Sequence, residues 1–242
     1  MTEKKTIIVT GASRGIGFAI AEELAGPDVH LVLMAKDKKN LSGIHDACAA
    51  KGATTTLLSV DLADTQDLKR QMEKLKKTVT RVDVLVNNAG LWFEDQFEKG
   101  DMDIWDTALD VNLKSQIHLT RHCVDLMQEG SAIVFMGSTA STKSYKGGTN
   151  YCAAKFGLLG FARSLFEDLR EKGIKVTSIL PGVVNTDMHK DDKSFDHAQM
   201  IQPKDIAQLT KFILSMPANS CITEVSIQPQ KNPKARTQFN KR

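Results

Sequence analysis

The chain has 242 residues, 41% of them hydrophobic and 25% charged, and its 32 Lys and Arg against 29 Asp and Glu leave a net charge of +3. That is an ordinary globular balance with material for a core, and the charge is too small to argue for nucleic acid as a partner. No run approaches the roughly 18 apolar residues that span a bilayer, and the opening residues hold only a short apolar run before a glycine turn, so neither a membrane segment nor a signal peptide is expected.

In chain order, β-branched runs at 6–10, 30–35, 54–59, 82–87, 131–136, 175–180 and 224–227 read as strands. Helical patterns fall between them at about 16–24, 40–50, 65–77, 105–128, 150–172 and 203–215. Strand followed by helix, repeated, predicts a single α/β domain over 1–229. Its mostly parallel sheet would be doubly wound, with helices on both faces. The polar stretch 186–202 is long for a connection; it reads as a lid over a binding site or as an inert loop. The tail 230–242 carries Lys231, Lys234, Arg236, Lys241 and Arg242 without an acid, and reads as a flexible terminus or as a partner-binding arm. Cys48, Cys123, Cys152 and Cys221 are scattered without paired spacing. No disulfide framework and no metal site are therefore expected, and reduced thiols fit a cytoplasmic location.

The first strand runs into Gly11-Ala-Ser13-Arg14-Gly15-Ile16-Gly17 and then a helix. Glycines let the backbone turn and approach a pyrophosphate, and a helix N-terminus aims free N–H groups at it. An acid at the end of the second strand would hold the ribose 2′-hydroxyl of NAD and repel the 2′-phosphate of NADP. Ala35 stands at that position with Lys36 beside it, and Arg14 can reach the same phosphate, so NADP is the expected cofactor. A register slip of two residues would instead make Asp37 an NAD-type acid. Asp61 offers an acceptor for the adenine amine, or an N-cap for the next helix.

Tyr151 and Lys155 share a helix face at i,i+4. Carbonyl reduction needs a proton at oxygen as hydride arrives at carbon, and a phenol with a pKa of about 10 is a poor acid–base at neutral pH. An ammonium at about 4 Å favours the phenolate by about 4 kcal/mol at an effective dielectric of about 20, so Lys155 is expected to lower the pKa of Tyr151. Ser138 closes the fifth strand at the sheet edge where ligands bind, placed to orient the substrate oxygen or to cap a turn.

Together these residues resemble the short-chain dehydrogenase/reductase family over about residues 5–190. Residues 10–17 are similar to its nucleotide fingerprint, Asn87-Asn88-Ala89-Gly90 to its adenine-side motif, and Asn112 in Asp-Val-Asn-Leu to its active-site asparagine. Ser138, Tyr151 and Lys155 complete the resemblance to its catalytic tetrad, and Pro181-Gly182-Val183-Val184-Asn185-Thr186 resembles the turn whose threonine contacts the nicotinamide carboxamide. The resemblance implies a seven-stranded Rossmann sheet in the order 3-2-1-4-5-6-7. It implies Tyr151 as general acid, Lys155 on the ribose, Ser138 on the substrate, and Asn112 holding a water in a proton relay. Asp61 and Leu62, Asn88 to Gly90, and the 181–186 turn are then expected to line the cofactor site together with the glycine loop. A homodimer or homotetramer built on the helices of Asn112 and Tyr151 is implied too. The glycine-glycine end common in 3-oxoacyl-carrier-protein reductases is missing; Glu224 to Gln230 is closer to carbonyl-reductase and sepiapterin-reductase-like branches. With Trp92, Phe93 and Met188 as an apolar wall, the substrate is expected to be a moderately apolar carbonyl compound or alcohol. The competing reading is a catalytically idle NADP-binding regulator or interaction protein.

Overall fold

Strands in this chain alternate which face each side chain enters, and both faces are apolar. In β1 (Lys5–Thr10), Ile7 and Val9 point to one side and Ile8 to the other; in β5 (Ala132–Met136), Val134 and Met136 oppose Ile133 and Phe135. Period-two alternation with apolar residues at both phases forces a cover of helices on each face. A computed structural model describes residues 4–93, 96–190 and 192–234 and shows that arrangement.

The remaining strands are β2 (Val29–Ala35), β3 (Thr54–Ser59), β4 (Val84–Asn87), β6 (Lys175–Pro181) and β7 (Glu224–Ile227). All pair in parallel, in the order β3-β2-β1-β4-β5-β6-β7. One face is covered by α1 (Gly15–Leu24), α2 (Ser42–Ala50) and α7 (Pro203–Leu214), which bury Ile20, Ile44, Ile206 and Ile213. The other is covered by α3 (Thr65–Leu75), α5 (Ser115–Val124) and α6 (Thr149–Leu169), through Leu68, Met72, Leu119 and Leu158. No helix among the described residues is long and apolar enough to cross a membrane.

The helix expected over 105–128 begins earlier and is not uniform. Asp101 caps α4 (Met102–Leu109) by accepting from the Asp103 amide at 2.9 Å, and residues Asp110–Lys114 form a widened π-helical turn before α5. Carbonyls loosened by a wider turn need other donors. Ser115 Oγ donates to the Val111 carbonyl at 2.8 Å, and Gln116 Nε2 donates to that of Asn112 at 3.1 Å.

The order reverses between β1 and β4, which opens a crevice at their carboxyl ends. Thr10 closes its floor. Its buried hydroxyl accepts from the Asn88 and Ala89 amides, each at 2.9 Å, and Asn88 Nδ2 returns a bond to the Thr10 carbonyl at 2.9 Å. Replacing Thr10 by valine keeps the shape but strands two amides, at a cost of about 2 kcal/mol. Thr10→Val is expected to lose that much in urea denaturation while Thr10→Ser stays within about 1 kcal/mol of wild type. Equal stability of the valine and serine proteins would contradict the role given to this hydroxyl.

Candidate active site

The crevice is a cleft of about 1010 Å³. At one end the glycine loop turns through left-handed backbone at Gly11 (φ 63°) and Gly15 (φ 58°), a region that strains any residue with a Cβ. A Cβ on Gly17 would overlap the Gly11 carbonyl oxygen. Arg14 is the N-cap residue of α1 and makes no side-chain capping bond, so the first-turn amides face the cleft without a protein side chain on them. Such a terminus suits a pyrophosphate, and Gly11, Ser13, Arg14, Gly15 and Ile16 all line the cleft.

Farther along, Lys36 lines the cleft just beyond β2 and its ammonium pairs with Asp61 at 2.7 Å. Arg14 lies 3.5 Å from Asp187 on the far loop. Both cations line the cleft, each paired with a carboxylate. Asp37 is turned elsewhere: its carboxylate accepts from the Lys39 amide at 2.9 Å and caps a short 3-10 turn, so the two-residue slip is not what the backbone adopts. Nor is Asp61 the cap of α3. That role belongs to Asp64, which accepts from the Gln66 and Asp67 amides. Leu62, Asn88, Ala89, Gly90, Pro181, Gly182, Val184 and Thr186 complete this part of the wall.

The opposite part holds Asn112, Ser138, Tyr151 and Lys155 together. Ser138 opens a tight turn by accepting from the Ala140 amide at 3.1 Å, and its hydroxyl also hydrogen-bonds the Tyr151 phenol. Lys155 is 3% exposed, and its ammonium donates to the Met136 carbonyl at 2.8 Å. Burial pulls its pKa down from 10.5 to about 8. Tyr151 departs from expectation. Burial pushes its phenol up to about 12, and the Ser138 bond opposes that only in part. The Lys155 ammonium, expected to lower it, donates to the Met136 carbonyl and stands 5.7 Å from the phenol ring centroid.

Asn112, expected to hold a water in a proton relay, lies buried in the same part of the cleft. Its side-chain amide clamps the backbone after β4, accepting from the Leu91 amide at 3.0 Å and donating to the Leu91 carbonyl at 2.8 Å. A Cβ on Gly90 would come within 2.9 Å of Asn112 Oδ1, so a side chain there would push the Asn112 amide out of place. Gln116 was not singled out from sequence, although it lies one turn beyond Asn112. Its amide bridges the Ala89 and Asn112 carbonyls, each at 3.1 Å.

Other residues without a local signal are Tyr145, His189, Phe195 and Lys234, which line the outer cleft with Trp92, Phe93 and Met188. Residues 233–234, at the start of the tail expected to be flexible, pack against the loop after β6. The Asp196 amide donates to the Pro233 carbonyl at 2.7 Å, and Phe195 bridges to Lys234. Arg236, Lys241 and Arg242 lie outside the described residues. Among the described residues, no group of three or more His, Cys, Asp or Glu is placed to hold a metal.

The family model described as short chain dehydrogenase matches residues 5–196. An uncharacterized oxidoreductase from Staphylococcus saprophyticus is 31% identical, covering 94% of this chain and 98% of its own. Sepiapterin reductase from Chlorobaculum tepidum is 30% identical over 93% of this chain and 96% of its own. Among solved structures, a short chain dehydrogenase from Burkholderia cenocepacia in complex with NADP superposes with a TM-score of 0.85 at 28% identity, covering 94% of this chain and 97% of the other.

The buried lysine makes a signed forecast. Between its folded value of about 8 and the usual 10.5, the unfolded chain binds a proton that the folded chain has lost, so this group adds stability as pH rises through that window. Below pH 8 its penalty is fully present. The unfolding free energy of wild type minus that of Lys155→Met is expected to rise by about 3 kcal/mol from about pH 7.5 to about pH 10.5 in denaturant titrations. A flat difference would remove the buried ammonium from the account.

Proposed function

The chain belongs to the short-chain dehydrogenase family, and from that premise we propose that it is an NADP(H)-dependent oxidoreductase interconverting a ketone or aldehyde and its alcohol, with Tyr151 as general acid and base. The observation that carries the reading is the convergence of Ser138, Tyr151 and buried Lys155 in one cleft with the glycine cradle. A protein that only bound a nucleotide would have no use for an ammonium kept out of water beside a phenol.

The residues of the cleft fit NADP(H). The glycine loop and the uncapped start of α1 would hold the pyrophosphate, and Arg14 and Lys36 the 2′-phosphate. Asp61, Leu62, Asn88 and Ala89 would flank the adenosine, and Gly90, Pro181, Gly182, Val184 and Thr186 the nicotinamide end. The NADP carried by the Burkholderia cenocepacia relative supports the choice. When bound, the reduced cofactor supplies a hydride for the carbonyl carbon.

This chain's own residues do the proton work. Ser138 and Tyr151 bind and polarise the carbonyl oxygen. Because burial keeps the phenol above its ordinary pKa, Tyr151 is protonated throughout the neutral range, and it gives up that proton to the strongly basic alkoxide oxygen that forms as hydride arrives. Lys155 titrates near pH 8, so it is poised to return a proton to the phenolate. Asn112 and Gln116 hold the Ala89–Leu91 backbone that borders the reacting centre. Exposed Met102 and Ile104 on α4 and Phe156 on α6 suit a homodimer formed across those helices, in the cytoplasm.

NADPH and NADH are to be titrated separately into wild type and Tyr151→Phe, followed by turnover with a panel of ketones, aldehydes and diketones. Tighter binding of NADPH is expected, with kcat/KM falling by about 10³ in Tyr151→Phe while its NADPH affinity stays within about threefold. Tighter NADH binding would overturn the reading of Lys36, and failure to bind either would sink the proposal.

A further inference from the structure

Around the outer cleft, side chains from four separate segments touch in series. The Trp92 indole donates to Tyr145 Oη at 3.0 Å. Its ring lies 5.3 Å from that of His189, which lies 5.4 Å from Phe195. The Lys234 ammonium then sits 5.6 Å from the Phe195 centroid. Burial keeps His189 below its usual pKa, so at neutral pH it contributes an aromatic face and not a charge. The belt therefore runs from the loop after β5, through the loop after β4 and the long loop after β6, to the residues beyond β7.

That last segment is held as a wall. Pro233 is buried, its carbonyl accepts from Asp196, and the Lys234 amide donates to Asn232 Oδ1 at 3.0 Å. The charges are uneven too. Lys143 and Lys234 both line the outer cleft, and neither makes an ion pair with a carboxylate among the described residues. Of the two acids that line it among the described residues, Asp187 pairs with Arg14. Asp192 accepts from the Ser194 amide at 2.9 Å; its bonds to Ser194 hold its carboxyl low, with smaller contributions from His189 and Lys234.

Flat rings offer their faces to other flat π systems, and a lysine at the end of such a row offers a point charge to an anion. We propose that residues 231–234 form the outer wall of the substrate cleft and that Lys234 selects aromatic or conjugated carbonyl compounds that carry a carboxylate. This rests on the reading of the cleft as a carbonyl-reducing site. It also replaces the purely apolar wall expected from Trp92, Phe93 and Met188 with one that is aromatic along its length and cationic at its end.

A matched pair of ketones tests it: para-acetylbenzoate and its methyl ester. Wild type is expected to favour the acid by about fivefold in kcat/KM, the size of an exposed ion pair. Lys234→Met is expected to bring the ratio to about one, while Lys234→Arg keeps it. Preference for the ester, or an unchanged ratio in Lys234→Met, overturns the proposal. A binding arm separates this from the catalytic reading. The chain has two tryptophans, and in a Trp105→Phe background Trp92 fluorescence reports on the belt. Quenching by para-acetylbenzoate that weakens about fivefold in Lys234→Met supports the recognition even if neither ketone is reduced, an outcome that would count against the catalytic reading alone. Quenching that ignores Lys234, or none at all, overturns the recognition even if both ketones are reduced.

Discussion

The ammonium of Lys155 is held out of water by the walls of the cleft, with the Met136 carbonyl at 2.8 Å as its hydrogen-bond partner. A buried cation is costly unless its surroundings are fixed, and here they are fixed from three directions. β5 supplies the Met136 carbonyl, α6 supplies Lys155 and Tyr151, and the backbone after β4 passes close to the ammonium at Gly90. Burial moves the two titrating groups in opposite senses, the lysine toward neutrality and the phenol toward retaining its proton. The pair thereby becomes a protonated acid beside a group that exchanges protons near pH 8.

Positioning of that pair depends on a second constraint at the gap between β1 and β4. Thr10 gathers the Asn88 and Ala89 amides, Gln116 gathers the Ala89 carbonyl, and Asn112 clamps both polar groups of Leu91. A single stretch of backbone is thus pinned on one side to the glycine loop and on the other to the widened turn between α4 and α5. Cofactor cradle and proton chemistry share this stretch, so a disturbance at Thr10 reaches Gly90 through two residues of backbone.

Much of this was legible in the sequence because it rests on local patterns. The alternation of apolar runs and helical periods anticipates the doubly wound sheet, with strand and helix ends shifted by a few residues at several places. The glycine spacing and the i,i+4 placing of Tyr151 and Lys155 anticipate which groups share the cleft. What was not legible depends on contacts between distant segments or on burial. Lys155 was expected to lower the phenol's pKa, and a spacing of four residues could not reveal that the ammonium would turn to Met136. The carboxylate of Asp37 was ambiguous until its own turn showed it capping Lys39. Phe195 and Lys234 carry no shared motif and meet only because the segment after β7 returns to the long loop.

The most direct test of the account is isotopic. Wild-type protein incubated with NADPH deuterated at the transferable position and an aryl ketone is expected to yield an alcohol bearing deuterium at the former carbonyl carbon, and Tyr151→Phe to yield almost none in the same time. Product without deuterium, or undiminished formation of deuterated alcohol by Tyr151→Phe, would contradict the assignment of hydride exchange to this cleft with Tyr151 as its acid.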